Sequence, residues 1–134
     1  MVYITSFVLT SQPRIATAEA LTEKALLQGA RLCLNLSSVG LLQKVKESLM
    51  NLLPKCSFLF GNRGELHAFA ELMGWTSDSD VDMMRCLATL LPGMAVITAG
   101  AEPTMVAVDG DVQLFPVPQS LEQKTGHVVG INKI

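Results

Sequence analysis

Apolar segments that suit strands alternate along this chain with segments in which apolar residues keep helical spacing. The strand-like segments are residues 2–9, 31–36, 58–60 and 94–98, followed by a pair at 104–108 and 112–115. Nearly continuous apolar runs such as 2–9 are typical of strands covered on both faces of a parallel sheet. The last pair flanks Asp109-Gly110, a dipeptide favoured in type I′ hairpin turns.

Four helices are predicted from start and stop signals between the strands. Pro13 suits the first turn of a helix that begins near Ser11 and stops at Gly29. The next two cover 39–53, ended by Pro54, and 64–73, ended by Gly74. The fourth is capped by Ser77-Asp78 and runs to Leu91. The predicted apolar faces are Ala18, Leu21 and Ala25 in the first helix, and Val81, Met84 and Leu87 in the fourth.

This alternation calls for right-handed βαβ crossovers. The predicted fold class is α/β, a mostly parallel sheet with flanking helices that ends in an antiparallel hairpin. No repeat, low-complexity tract or internal linker interrupts the pattern. We therefore predict a single α/β unit over residues 1–118 and a separate tail over 119–134.

Polar residues and glycines follow three of the predicted parallel strands. Because the carboxyl ends of parallel strands meet at one edge, Asn35, Asn62, Thr98 and Gly100 are expected on a common rim, where such groups can cradle phosphate. Each also has a structural interpretation. Asn35 can form a local Asx turn, Thr98 can be an ordinary β-branched strand residue, and Gly100 can be a plain turn residue.

Asn62 and Glu65 carry the sharpest candidate chemistry. A helix N-terminus at Asn62 favours an anion such as phosphate, and Glu65 shares its face and could hold a hydrated Mg²⁺ against that phosphate. The same Asn-x-x-Glu spacing is equally a capping box, with Asn62 at the N-cap and Glu65 at N3. On spacing alone, the capping interpretation is favoured.

Composition adds one structural expectation. The chain has 134 residues, of which 49% are hydrophobic and 16% charged, whereas a typical soluble domain is roughly 25% charged. Such a chain either hides surface in an oligomer or belongs to a larger fold. Self-association through exposed apolar surface is therefore expected.

Charge and cysteine content limit the classes of partner and the cellular location that the sequence predicts. A formal net charge of −2 does not indicate the basic surface that binds nucleic acid or an anionic membrane. No apolar run reaches the ~18 residues of a spanning helix, and residues 1–9 lack the positive leader of a secretory signal. Three widely spaced cysteines fit reduced thiols. We expect a cytoplasmic protein, with the nucleus as an alternative.

Several stretches, in order along the chain, resemble the ribokinase-like (PfkB-type) sugar and nucleoside kinases, and among these the adenosine kinases most. They are residues 2–10, 34–37, 47–50, 53–54, 58–62 through Glu65, 68–70 and 96–100. The resemblance covers about residues 2–118. It favours the ligand interpretation of Asn62 and Glu65 over simple capping.

The resemblance implies transfer of the γ-phosphoryl group of ATP to the 5′-hydroxyl of adenosine, giving AMP in purine salvage. It places Asn62 and Glu65 on the family's Asn-x-x-Glu motif, which organises Mg²⁺ and phosphate through water. Thr98 and Gly100 fall on the turn beside the ATP phosphates, and Asn35 on a strand end near the phosphate path. Arg63 and Gly64 depart from the acidic and small residues common inside the motif.

The family's glycine-rich segment, which carries its catalytic Asp, is matched only weakly in this sequence. Thr125-Gly126 is followed by His127 and Val128 rather than by Gly-Asp. His127 has a suitable ordinary pKa for a substitute base, but an inert tail histidine is the favoured interpretation. The family's N-terminal substrate half is also missing. We therefore predict no catalytic residue in this chain and no kinase turnover by it alone.

Three interpretations stay open. The first is that the chain is part of an adenosine kinase-type enzyme. The second is a non-catalytic nucleotide-binding or interaction module derived from such an enzyme, and the third is an unrelated doubly wound domain whose rim is only structural.

Overall fold

Six strands form one sheet in the part of the chain that the computed structural model describes, which is residues 2–5, 9, 11–37 and 39–117. The elements in chain order are β1 Val2–Thr5, α1 Gln12–Leu27, β2 Leu32–Asn35, α2 Val39–Leu52, a 3₁₀ turn Leu53–Lys55, β3 Cys56–Asn62, α3 Arg63–Met73, α4 Asp80–Ala88, β4 Met94–Ala99, β5 Glu102–Val108 and β6 Asp111–Phe115. The predicted tail beyond residue 118 and the strand positions 6–8 lie outside the described residues.

The sheet has the predicted mixed topology. Its spatial order is β1-β2-β3-β4-β5-β6; the first four strands are parallel and the last two antiparallel. Asp109 and Gly110 join β5 to β6 with φ of 51° and 82°, as a type I′ turn requires. The α/β fold class with its terminal hairpin is confirmed.

The strand register brings the predicted rim together. Asn35 at the end of β2 pairs with Phe60, two residues before the end of β3. Asn62 at the end of β3 pairs with Thr98 of β4. The carboxyl ends of three neighbouring parallel strands therefore present their polar residues at one edge of the sheet.

The four helices of the three crossovers belong to one side of this sheet. Strand order follows chain order through β4, and right-handed crossovers in a constant direction place their helices on the same face. Leu59, Ala95, Ile97 and Ala107 on that face are fully buried. The alternate positions of β3, β4 and β5 form what we call the open face; Phe58, Phe60, Met94, Val96 and Val106 there are only partly buried.

Two predicted packing patterns are wrong. Tyr3 is 58% exposed, so the face of β1 that carries it is not covered. In the described sheet β1 also lies at an edge. In α1, Leu21 is 56% exposed and Thr22 is buried beside Ala18. Thr22 can be buried because its hydroxyl donates to the Ala18 carbonyl oxygen at 2.7 Å, which satisfies the polar group.

Helix α4 is shorter than predicted at both ends. Its N-cap is Ser79, whose hydroxyl accepts a hydrogen bond from the Asp82 amide, while Ser77 donates to the Asp82 carboxylate. At the other end, Thr89 and Leu90 turn back with i→i−3 hydrogen bonds, so the helix ends before Leu91. No helix among the described residues has the length and apolar character to cross a membrane.

Gly93, the residue before β4, is required because the backbone there passes close to β3. A Cβ at this position would lie 1.9 Å from the carbonyl oxygen of Ser57 in β3. We expect Gly93→Ala to lower the free energy of unfolding by at least about 2 kcal/mol, because backbone must move to admit the methyl group. Urea denaturation followed by circular dichroism measures this.

The matched control is Gly64→Ala in the first turn of α3. Its Cβ would make ordinary contacts, 3.4 Å from Asn62 Oδ1 and 3.8 Å from Val39 Cγ2. Stability should stay the same or rise by up to about 1 kcal/mol, since alanine favours the helix. Equal losses in the two variants would contradict the assigned packing of Gly93.

Candidate functional site

The junction between β3 and α3 is closed by two reciprocal hydrogen bonds. Asn62 Oδ1 accepts from the Glu65 backbone N–H at 2.8 Å, and Glu65 Oε1 accepts from the Asn62 backbone N–H at 2.9 Å. This is a complete capping box, with Asn62 at the N-cap and Glu65 at N3. The structural interpretation of the Asn-x-x-Glu motif is therefore present in the fold.

Capping engages only one of the two carboxylate oxygens of Glu65, Oε1. Glu65 is 5% exposed, and no donor from the described residues reaches its second oxygen, Oε2. A buried carboxylate oxygen without a partner is costly, and a bound cation or hydrated metal ion would satisfy it. The buried state of Glu65 thus points beyond capping.

Gly61 lets this carboxylate approach the strand. A Cβ at Gly61 would lie 3.0 Å from Leu36 Cδ1, 3.2 Å from Glu65 Oε1 and 3.3 Å from Ile97 Cδ1. Any larger residue would crowd the carboxylate against the core. The Gly-Asn sequence at the strand end therefore positions both polar groups.

Four of the five predicted site residues line one cavity of about 310 Å³: Asn35, Asn62, Glu65 and Thr98, together with Phe60, Gly61 and Val96. The Thr98 hydroxyl is exposed and makes only a long contact, 3.5 Å, to the Gly61 carbonyl oxygen. Gly100 does not line this cavity. It lies two residues further on in the β4–β5 turn, with φ of 61°.

Asn35 makes the local turn that was one of its two interpretations. Its Oδ1 accepts from the Ser37 backbone N–H at 2.8 Å, and Ser37 takes a left-handed φ of 62°. Its Nδ2 donates to the Tyr3 hydroxyl at 2.9 Å. Asn35 therefore stabilises the β2 end and also forms one wall of the cavity.

Sequence reasoning missed a cluster beside this cavity, formed by Arg63, His67 and Asp80. Arg63 Nε donates to Asp80 Oδ2 at 2.7 Å, and His67 Nε2 lies 2.6 Å from Asp80 Oδ1. Burial alone would raise the pKa of Asp80, but the hydrogen bonds from His67 and Arg63 outweigh it and lower that pKa. The one available signal was the i, i+4 spacing of Arg63 and His67 on α3.

Arg63 and Asp80 also line a second cavity, of about 340 Å³, whose other walls include Ala99, Glu102 and Pro103 of the β4–β5 turn. We call it the turn cavity. Residues consecutive in the chain border the two cavities, since Arg63 directly follows Asn62 and Ala99 directly follows Thr98.

The rim fits a hydrated magnesium ion better than a fully protein-bound metal. The described residues contain no group of three or more His, Cys, Asp or Glu side chains arranged to hold a metal. Mg²⁺ commonly keeps several waters and uses one or two carboxylates plus substrate phosphates. Glu65, whose Oε2 meets no donor among the described residues, has the chemistry of such a carboxylate.

An open α/β sheet with a polar cavity beyond its strand ends defines a class of ligand-binding fold. Residues 1–130 match the pfkB family of carbohydrate kinases, and the chain belongs to that family. The family suggested by the sequence resemblance is thus confirmed.

Known relatives include adenosine kinases. Adenosine kinase 1 of Arabidopsis thaliana is 32% identical over 122 residues, which are 86% of this chain and 35% of that protein. The Trypanosoma brucei brucei adenosine kinase structure superposes with a TM-score of 0.77 at 27% identity, over 87% of this chain and 37% of that one. The Anopheles gambiae adenosine kinase in complex with P1,P4-di(adenosine-5) tetraphosphate has a TM-score of 0.77 at 24% identity, over 86% and 36%. The chain spans about a third of the length of the curated relatives it matches.

Asp80 should make stability depend on acid pH. Because folding lowers its pKa below the unfolded value of about 3.9, its contribution is complete above that value and disappears as pH falls through the folded-state pKa. We expect Asp80→Asn to be less stable than wild type by about 1 kcal/mol at pH 7, with the difference closing as the pH falls below about 4. Urea unfolding across this pH range measures it.

Asp82→Asn is the control for Asp80→Asn. Asp82 lies on the same helix, is 52% exposed and pairs with Arg85 at 3.3 Å. Its replacement should leave the pH profile close to that of wild type. A constant difference between wild type and Asp80→Asn from pH 7 to pH 2 would contradict the assignment.

Proposed function

We propose that this chain forms the Mg·ATP-binding part of an adenosine kinase-type phosphotransferase, which phosphorylates adenosine to AMP. The observation that carries the proposal is Glu65, a 5% exposed carboxylate whose Oε2 lacks a partner among the described residues and which borders a cavity with Asn62 and Thr98. Membership of the pfkB family and the adenosine kinase relatives support the reaction class.

The proposed roles follow from the arrangement of the rim. Glu65 and Asn62 would hold hydrated Mg²⁺, and the ion would neutralise charge on the phosphates of ATP. Helix α3 begins at its N-cap Asn62, which lines the cavity, so the positive end of the helix dipole lies beside the proposed phosphates. The Thr98 hydroxyl and the backbone of the Gly100 turn would orient the phosphate chain, and Asn35 would border its path.

We also propose that the 134-residue polypeptide alone does not turn over. Phosphoryl transfer depends on positioning and on charge stabilisation at the transferred group. The glycine-rich anion hole and catalytic Asp that the family resemblance implies have no counterpart at Thr125-Gly126-His127-Val128. Residues 118–134 lie outside the described part of the structure, and His127 stays assigned as inert.

Glu65→Gln tests the metal-dependent binding step. Glutamine at N3 can keep the capping box, so the fold should survive while the negative charge on the cavity is lost. By isothermal titration calorimetry, we expect wild type to bind ATP more tightly with Mg²⁺ than with EDTA. We expect Glu65→Gln to lose at least about tenfold of this magnesium-dependent gain, as for a lost charge-assisted contact.

Glu71→Gln is the matched control, since Glu71 is an exposed glutamate near the end of the same helix. It should bind Mg·ATP like wild type. Wild type that shows no ATP binding, or Glu65→Gln with an unchanged magnesium effect, would overturn the proposed rim.

A non-catalytic nucleotide-binding module is the second candidate, because the Gly-Asp pair is absent after Thr125-Gly126. A direct assay for AMP formed from adenosine and ATP by the purified chain addresses it. Binding without AMP formation is the expected result. AMP production that Glu65→Gln reduces would show instead that the chain is a complete catalyst.

A further inference from the structure

Arg63 stands at the boundary between the candidate rim and the turn cavity. It is the first residue of α3, directly after the N-cap Asn62, and its side chain is 52% exposed. We propose that Arg63 contacts the phosphate chain of the bound nucleotide and makes this rim selective for nucleotides with more phosphates. The inference rests on the proposed function.

The guanidinium of Arg63 is held by one hydrogen bond and keeps further donors for a ligand. Only Nε is engaged, by Asp80 Oδ2 at 2.7 Å, and the two Nη groups have no acceptor among the described residues. Asp80 is itself held from the other side by His67 at 2.6 Å and lies in the first turn of α4. The planar fork of Arg63 is therefore oriented in advance, with both terminal nitrogens available to an anion.

Arg63 borders the turn that follows Thr98. Arg63 shares the turn cavity with Ala99 and Glu102, the residues on either side of the Gly100-Ala101 turn. A Cβ at Gly100 would meet no atom of the described residues within 4 Å. A phosphate chain held at Glu65 and Thr98 and continuing over the turn would pass beside Arg63.

The charges around the turn cavity predict which substitutions weaken phosphate binding and which strengthen it. Asp80 has both oxygens occupied by Arg63 and His67, so its charge is largely compensated there. Glu102, at the other side of the cavity, has no cationic partner among the described residues and would oppose an anion. Removing Arg63 should therefore weaken phosphate binding, and removing the charge of Glu102 should strengthen it.

The experiment measures Mg²⁺-dependent binding of ATP, ADP and AMP to the full chain by isothermal titration calorimetry. For Arg63→Gln we expect the dissociation constant for ATP to rise about tenfold and that for AMP to change less than about twofold. Arg63→Lys should recover only part of the loss, since it keeps the charge but not the fork. Glu102→Gln should tighten ATP binding by about two- to threefold, and more so at low salt.

Arg85→Gln is the charge-matched control. Arg85 is 60% exposed on α4 and pairs only with Asp82 at 3.3 Å in the described structure. It should leave all three dissociation constants unchanged. An equal effect of Arg63→Gln and Arg85→Gln on ATP, or an unchanged ratio of ATP to AMP affinity in Arg63→Gln, overturns the role of Arg63.

The two proposals fail in different ways. If neither wild type nor Glu65→Gln binds Mg·ATP, the proposed function is wrong, and the role of Arg63 is wrong with it. If wild type binds and Glu65→Gln loses the magnesium effect while Arg63→Gln and Arg63→Lys bind like wild type, the rim stands and Arg63 is a structural residue only. Circular dichroism of each variant establishes that it is folded.

Discussion

The structure depends at its functional edge on the reciprocal hydrogen bonds between Asn62 and Glu65. These two bonds end β3, begin α3 and fix the direction in which the helix leaves the sheet. The approach is close enough to require glycine at position 61, since the carboxylate lies where a methyl group would crowd it. The cavity, the first turn of α3 and the placement of Arg63 all follow from this junction.

The second constraint is the one-sided sheet. Parallel sheets are normally covered on both faces, yet the crossover helices described here lie on one face and leave Phe58, Phe60 and Val96 partly exposed on the other. The high apolar content fits this arrangement. The open face carries apolar residues that a larger fold would bury, and the chain spans about a third of its relatives' length. The rim cavity shares this open face, since Phe60 and Val96 line it together with residues of the strand ends and of α3.

Features encoded within a few residues could be predicted from sequence, and those set by tertiary contact could not. The strand–helix alternation, the Asp109-Gly110 turn and the convergence of Asn35, Asn62 and Thr98 follow from local patterns plus the geometry of parallel strands. The cap of α4 was misplaced because all four residues 77–80 are Ser or Asp and can cap, and only the bond from the Asp82 amide to Ser79 distinguishes them. The Arg63–Asp80 pair joins residues 17 apart through the packing of α3 on α4, which no local pattern specifies.

The structural and ligand interpretations of the Asn-x-x-Glu motif are not alternatives. Capping occupies Glu65 Oε1 and Asn62 Oδ1, and it is this engagement that holds the carboxylate in its buried position. Since the cap fixes one oxygen, the other has a defined direction without rotamer freedom to lose on binding, and preorganised groups bind ions at lower entropic cost. The same hydrogen bonds that make the helix start also make Glu65 a suitable ligand, so a capping box at this edge strengthens rather than weakens the case for a metal–phosphate site.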